Sequence, residues 1–285
     1  MNIDKIGVLG AGVMGSGLTQ ALALTGHTVV LVDSSSGVLN QVKDNFIKNI
    51  RLQMMFNKDL GQIDPHDIVK KVTFTVDQGS LAGVQYVIEN VTEKWSVKEE
   101  VFLQIDKICP RECIFASNTS AIPIKRLASL TQRPDKFIGL HFMNPVPMKT
   151  TVEMIRSPLT SDATIEASKK LLTQMKKQWI LVNDSPGFVS NRVLMLTINE
   201  AICLVEEKVA SVEDIDQVFT SCFGYKMGPL ATGDLIGLDT VLLSLGVLYD
   251  HLQDDKFKPC PLLKAMVDKG DLGRKTGRGF YDYST

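Results

Sequence analysis

Gly10-Ala11-Gly12-Val13-Met14-Gly15 constrains this chain more than any other stretch. It follows a short apolar run, Lys5 to Leu9, and opens onto Leu18 to Leu24, a segment rich in alanine and leucine. A second apolar run, Thr28 to Val32, ends at Asp33. Strand, glycine turn, helix, strand and acid form the context in which a G-x-G-x-x-G turn holds a dinucleotide. Gly10 permits the tight turn, Gly12 lets the backbone approach a pyrophosphate, and Gly15 lets the helix pack on the strand. The helix start at Gly12, Val13 and Met14 presents unpaired N–H groups and a positive dipole end to phosphates. Asp33 is placed to accept hydrogen bonds from the adenosine ribose hydroxyls. A phosphate on that ribose would meet its charge, and Ser34, Ser35 and Ser36 supply no arginine to offset it. NAD is therefore expected rather than NADP.

Apolar runs continue at Val72–Thr75, Tyr86–Val91, Cys113–Ser117 and Phe137–His141, with helical periodicity from Gly37 to Phe56 and from Ser96 to Ile108. Gly61 and Pro65 read as a break. Beyond Glu153 a helix (Asp162 to Lys176) and a strand (Gln178 to Asn183) are expected. From Phe188 onward the patterns are helical only, and Ser211 with Asp214 resembles a capping box. The expected fold is α/β. A Rossmann-type, mostly parallel doubly wound sheet occupies residues 1–185, and an all-helical substrate and dimerisation domain occupies 186–285. Ligands of such sheets bind beyond the carboxyl ends of the strands, which places Glu93, Asn118, Ser120 and His141 around one crevice.

At 285 residues, 44% hydrophobic and 22% charged, the chain has room for two domains of an ordinary globular protein. A net charge of −1 gives no field for nucleic acid or an anionic membrane. No apolar run approaches the ~20 residues of a membrane span, and the start lacks a secretory leader pattern. The five cysteines are odd in number and without Cys-x-x-Cys spacing, as in reduced cytoplasmic proteins. His27, His66, His141 and His251 lie far apart in sequence, so no metal is expected.

The second informative stretch is Gly139 to Glu153, which sets a histidine at the end of one apolar run and a carboxylate in the next. Asn144, Pro145 and Pro147 force an extended turn between them. Two neighbouring strands would bring His141 and Glu153 together, and an imidazole held by a carboxylate transfers protons near neutral pH. Read alone, the pattern also fits a histidine that merely hydrogen-bonds in a turn. Asn118-Thr119-Ser120 likewise reads as a capped turn, Glu93 and Lys98 as a solvated helix start, Asn191 as a surface residue and Lys275 as part of a basic tail.

Taken in order, Gly10–Gly15, Ser117–Ala121, Gly139–Pro147, Asp184–Arg192, Met227–Leu230 with Asp234–Asp239, and Gly273–Tyr281 resemble the NAD-dependent 3-hydroxyacyl-CoA dehydrogenases from end to end, especially the short bacterial 3-hydroxybutyryl-CoA type. The resemblance implies that His141 is the general base for a 3-hydroxyl, that Glu153 holds its other nitrogen, and that Ser120 bonds the reacting oxygen. It implies that Asn191 orients the substrate carbonyl. Glu93, Lys98, Asn118 and Lys275 would then serve the cofactor, and Asn144 and Lys58 the substrate. Residues 51–62 are less basic than is usual near a CoA tail, which leaves an acyl-carrier-protein thioester as an alternative. A free β-hydroxyacid substrate is a further alternative, but such enzymes use a helix lysine where this chain has Asn191 and Arg192. A non-catalytic nucleotide-binding protein would not need His141, Glu153, Ser120 and Asn191. The apolar surplus of the helical domain implies a homodimer.

Overall fold

The computed structural model describes residues 3–56 and 63–284. The chain packs as two units, Met1–Asp184 and Ser185–Thr285. Unit 1 runs β1 (Lys5–Leu9), α1 (Val13–Leu24), β2 (Thr28–Val32), α2 (Ser36–Phe56), α3 (Pro65–Val69), β3 (Val72–Thr75) and β4 (Tyr86–Glu89). It continues with α4 (Trp95–Ile108), β5 (Ile114–Ser117), α5 (Ile124–Ala128), β6 (Phe137–His141), β7 (Thr151–Arg156), α6 (Asp162–Gln174) and β8 (Gln178–Asn183). The strands form a single sheet in the order β3-β2-β1-β4-β5-β6-β7-β8. Neighbours run parallel except β6 and β7.

The apolar strands bury both faces, as a parallel sheet requires. One face sets Ile6, Val8, Tyr86, Ile88, Ile138, Leu140 and Met154 in a core with Leu18 and Leu22 of α1 and Leu171 and Leu172 of α6. Tyr86 is fully buried there, and its hydroxyl meets Ser168 Oγ at 2.8 Å. On the other face Phe102 of α4 lies 4.8 Å from Phe137 and 6.3 Å from Phe115, ring centre to ring centre. The strand order reverses between β1 and β4, so the crevice beyond their carboxyl ends is where such a sheet binds ligands.

Of the expected break, Gly61 lies outside the described residues, and Pro65 opens a new helix, α3, with Asp64 accepting the His66 N–H as its cap. One local expectation changes: strand β4 ends at Glu89 rather than Val91.

Unit 2 holds α7 (Ser190–Glu206), α8 (Val212–Gln217), α9 (Pro229–Ile236), α10 (Leu238–Leu252) and α11 (Pro261–Lys269). Ser211 caps α8, accepting the Asp214 N–H and donating its hydroxyl to the Asp214 carboxylate. The helix then widens into a π-turn over Val218–Cys222. Val241, Leu245 and Leu248 of α10 pack with Ile198, Ile202, Leu230, Phe257 and Leu263. Asp216 caps α9 through the Leu230 and Ala231 amides, and Asp234 accepts the Phe280 and Tyr281 amides, tying down the C-terminal segment. No single helix among the described residues is long and apolar enough to cross a membrane.

Candidate active site

The glycine turn leaves β1 at Gly10, whose φ of +88° suits glycine, and an added Cβ would strike Asn90 O at 2.7 Å. A Cβ on Gly15 would fall 1.8 Å from Gly10 O, so α1 packs directly on the turn. Above Gly12 lies open space, with no atom within 4 Å of an added Cβ. The first turn of α1 carries no side-chain cap, which leaves the amides around Val13 and Met14 for a ligand. Asp33 follows β2, its Oδ2 accepting the Ala11 N–H at 2.7 Å and its Oδ1 the Ser35 N–H at 2.9 Å. The carboxylate thus stands against the turn with lone pairs left for ribose hydroxyls. Amides, open space and acid together fit a dinucleotide.

His141 ends β6 and Glu153 lies in β7, and the antiparallel register sets the two opposite each other. His141 Nδ1 lies 3.1 Å from Glu153 Oε2, with both residues buried. On the other side Nε2 lies 3.3 Å from Ser120 Oγ. Hydroxyl, imidazole and carboxylate form one line, with an Nδ1–H donated to the carboxylate and Nε2 turned toward the hydroxyl.

Ser120 is held from beneath. Glu93 Oε1 accepts the Ser120 and Ala121 amides at 3.0 and 3.2 Å, together with the Thr119 hydroxyl. Its Oε2 lies 3.3 Å from Lys98 Nζ. Lys98 is fully buried on α4 and bonds Glu89 Oε1 at 2.6 Å. Glu89 also accepts the Val91 N–H and the Ser117 hydroxyl. Burial disfavours the Lys98 ammonium, but Glu89 and then Glu93 outweigh it and hold its pKa above the usual lysine value. Lys98, expected at the cofactor, is held among these carboxylates.

Asn118 follows β5, bonded through Nδ2 to Asn90 Oδ1 and through Oδ1 to the Phe142 N–H. Asn144 is exposed and lines a cavity of about 620 Å³ with Gly12, Val13, Gln20, Asn45 and Gln53. Among the described residues, no charged one lines that cavity. Lys177 is buried, donating to Val146 O at 2.8 Å and Lys149 O at 2.6 Å, and so braces the wall that Val146, Pro147 and Met148 form. Lys58 lies outside the described residues. In unit 2, Asn191 occupies the first turn of α7, and Lys275 pairs with Asp239 at the start of α10.

Three residues escape a reading of the sequence alone. Glu89 leaves a signal, an ionisable side chain in an otherwise apolar strand. Asn90 and Lys177 leave none, since their partners are set by strand order and loop packing. Among the described residues no group of three His, Cys, Asp or Glu could hold a metal ion.

Residues 5–185 match the family model "3-hydroxyacyl-CoA dehydrogenase, NAD binding domain", and residues 187–283 match "3-hydroxyacyl-CoA dehydrogenase, C-terminal domain". The chain is 43% identical over 281 residues to a 3-hydroxybutyryl-CoA dehydrogenase of Bradyrhizobium diazoefficiens, covering 99% of this chain and 96% of the relative. It is 37% identical over 289 residues to the mitochondrial hydroxyacyl-coenzyme A dehydrogenase of Homo sapiens, covering 99% and 91% respectively. The crystal structure of (S)-3-hydroxybutyryl-CoA dehydrogenase from Ralstonia eutropha superposes with a TM-score of 0.93 at 41% identity, covering 100% of both chains. With the dinucleotide turn, the strand order and both domains accounted for, the chain belongs to the 3-hydroxyacyl-CoA dehydrogenase family.

Proposed function

We propose that the protein interconverts a 3-hydroxyacyl-CoA thioester, of short chain such as 3-hydroxybutyryl-CoA, and its 3-oxoacyl counterpart. NAD, when bound, accepts or returns the hydride. The observation that carries this reading is the line Ser120 Oγ, His141 Nε2, His141 Nδ1 and Glu153 Oε2 at the carboxyl end of the sheet. In the oxidative direction neutral His141 takes the 3-hydroxyl proton on Nε2, and Ser120 hydrogen-bonds the same oxygen. Glu153 holds Nδ1–H, fixes the tautomer and stabilises the imidazolium. In the reverse direction His141 returns the proton to the oxygen. Gly12, Val13 and Met14 offer amides to the pyrophosphate, and Asp33 takes the ribose. Glu93 supports Ser120, and Asn118 faces the nicotinamide side. The resemblance alone carries Asn191, Lys275 and Asn144.

The helical unit exposes Val189, Val193, Val209, Val218, Phe223, Tyr225, Leu235 and Leu243, which supports a homodimer through that unit. Light scattering of the purified protein checks this, a dimer mass being expected and a monomer mass opposing it.

The functional test follows NADH oxidation with 3-oxobutyryl-CoA, with the same acyl group on a carrier protein, and with NADPH in place of NADH. Turnover with the CoA thioester and NADH is expected. A higher kcat/KM on the carrier protein moves the assignment to that substrate, and no turnover with either thioester overturns it.

A further inference from the structure

Asn90 follows β4 at the point where the strand order reverses, beside the dinucleotide turn. Its backbone N–H donates to Leu9 O at 2.7 Å, its carbonyl backs onto Gly10, and its Cβ lies 3.5 Å from an added Cβ on Gly15. Its Nδ2 donates to Ile88 O at 3.0 Å, and its Oδ1 accepts Asn118 Nδ2–H at 2.8 Å. Asn118 Oδ1 in turn accepts the Phe142 N–H at 2.8 Å.

Each link of this chain has a direction that cannot be reversed. The Phe142 amide can only donate, so the Asn118 oxygen faces it and the Asn118 nitrogen faces Asn90. The Ile88 carbonyl can only accept, so the Asn90 nitrogen faces it and the Asn90 oxygen faces Asn118. Two carboxamides are thereby locked against flipping, one at the end of β4 and one at the end of β5. Asn118 keeps one N–H and one oxygen lone pair for a ligand, the donor and acceptor pair that matches another carboxamide. Without Asn90, only the Phe142 amide among the described residues would hold the Asn118 carboxamide.

We propose that Asn90 is a positioning residue that presents the Asn118 carboxamide to the carboxamide of a bound nicotinamide. This rests on the reading of Asn118 as a cofactor residue. Asn90 itself touches neither cofactor nor substrate, so its loss acts through Asn118.

The test is a double-mutant cycle read by NADH fluorescence titration, with steady-state kinetics beside it. Asn90→Ala is expected to raise the NADH dissociation constant about fivefold, the scale of one lost neutral hydrogen bond. The KM for NADH should rise with it, and kcat should stay within about twofold. In the Asn118→Ala background the same substitution should change nothing further. Asn90→Gln keeps both a donor and an acceptor and should bind NADH more tightly than Asn118→Ala; it also provides the reading should Asn90→Ala fail to fold. A wild-type dissociation constant for Asn118→Ala overturns the placement of Asn118 together with this inference. A clear loss in Asn118→Ala to which the Asn90→Ala effect simply adds overturns the inference alone, as does an Asn90→Gln as weak as Asn118→Ala.

Discussion

His141 and Glu153 are opposed partners in the antiparallel register of β6 and β7, with Nδ1 and Oε2 3.1 Å apart. The pairing follows from the change of direction at β7. The connecting segment Phe142–Thr150 turns the chain back, and the pleat then points both side chains to the same face of the sheet. A slip of one residue would send Glu153 to the other face. The imidazole therefore owes its tautomer to strand register and not to a flexible loop.

Glu153→Gln keeps the shape and removes the charge that stabilises the imidazolium. The expected result is a fall in kcat of about 10²-fold with the KM for NADH nearly unchanged, measured by steady-state NADH oxidation. A kcat within twofold of the parent would show that the carboxylate does not assist the base.

Asp33 serves both the turn and the cofactor, since its Oδ2 accepts the Ala11 N–H. Asp33→Ala removes a charged acceptor from each. The NADH dissociation constant should rise about 10- to 100-fold, while NADPH binding weakens less because the repulsion is removed as well. Parallel fluorescence titrations with the two nucleotides give the comparison.

Lys98 neutralises the buried Glu89 and the partly exposed Glu93, its own side chain being 1% exposed, that of Glu89 0% and that of Glu93 26%. Lys98→Met strands the Glu89 carboxylate and should cost about 3–5 kcal/mol in denaturant unfolding. Adding Glu89→Gln should return a clear part of that loss, because the stranded charge is then gone.

Lys177 has backbone carbonyls for partners, and burial lowers its pKa below the usual lysine value of 10.5. The unfolded chain therefore keeps this proton to higher pH than the folded one. Across the alkaline window between the lowered value and 10.5 the unfolded state binds more protons, so this residue's contribution to stability rises with pH. The stability of the parent relative to Lys177→Met should increase through that window in denaturant melts at stepped pH. A difference that is flat or falls with pH contradicts the assignment.

The readable parts of the fold were those whose cause is local. The glycine turn, the buried strands and the long amphipathic helices each write a periodicity or a punctuation into adjacent residues. Helices α3, α5 and α9 span 5, 5 and 8 residues, too few for a period to show. Distant carboxylates support two of them: Asp184 accepts the Ile124 and Lys125 amides, and Asp216 caps α9. The same division runs through the site. His141 and Glu153 could be paired because one short turn joins their strands. Lys98 read as a solvated helix residue because Glu89, nine positions earlier, sits in a strand whose neighbours are all apolar. Asn90 and Asn118 meet only because β4 and β5 are adjacent in register.

The central claim, that His141 moves the substrate proton, is tested most directly by His141→Gln with 3-oxobutyryl-CoA and NADH. The account predicts a fall in kcat of about 10²- to 10⁴-fold, with the NADH dissociation constant by fluorescence titration within twofold of the parent. Near-normal turnover by this variant would contradict it.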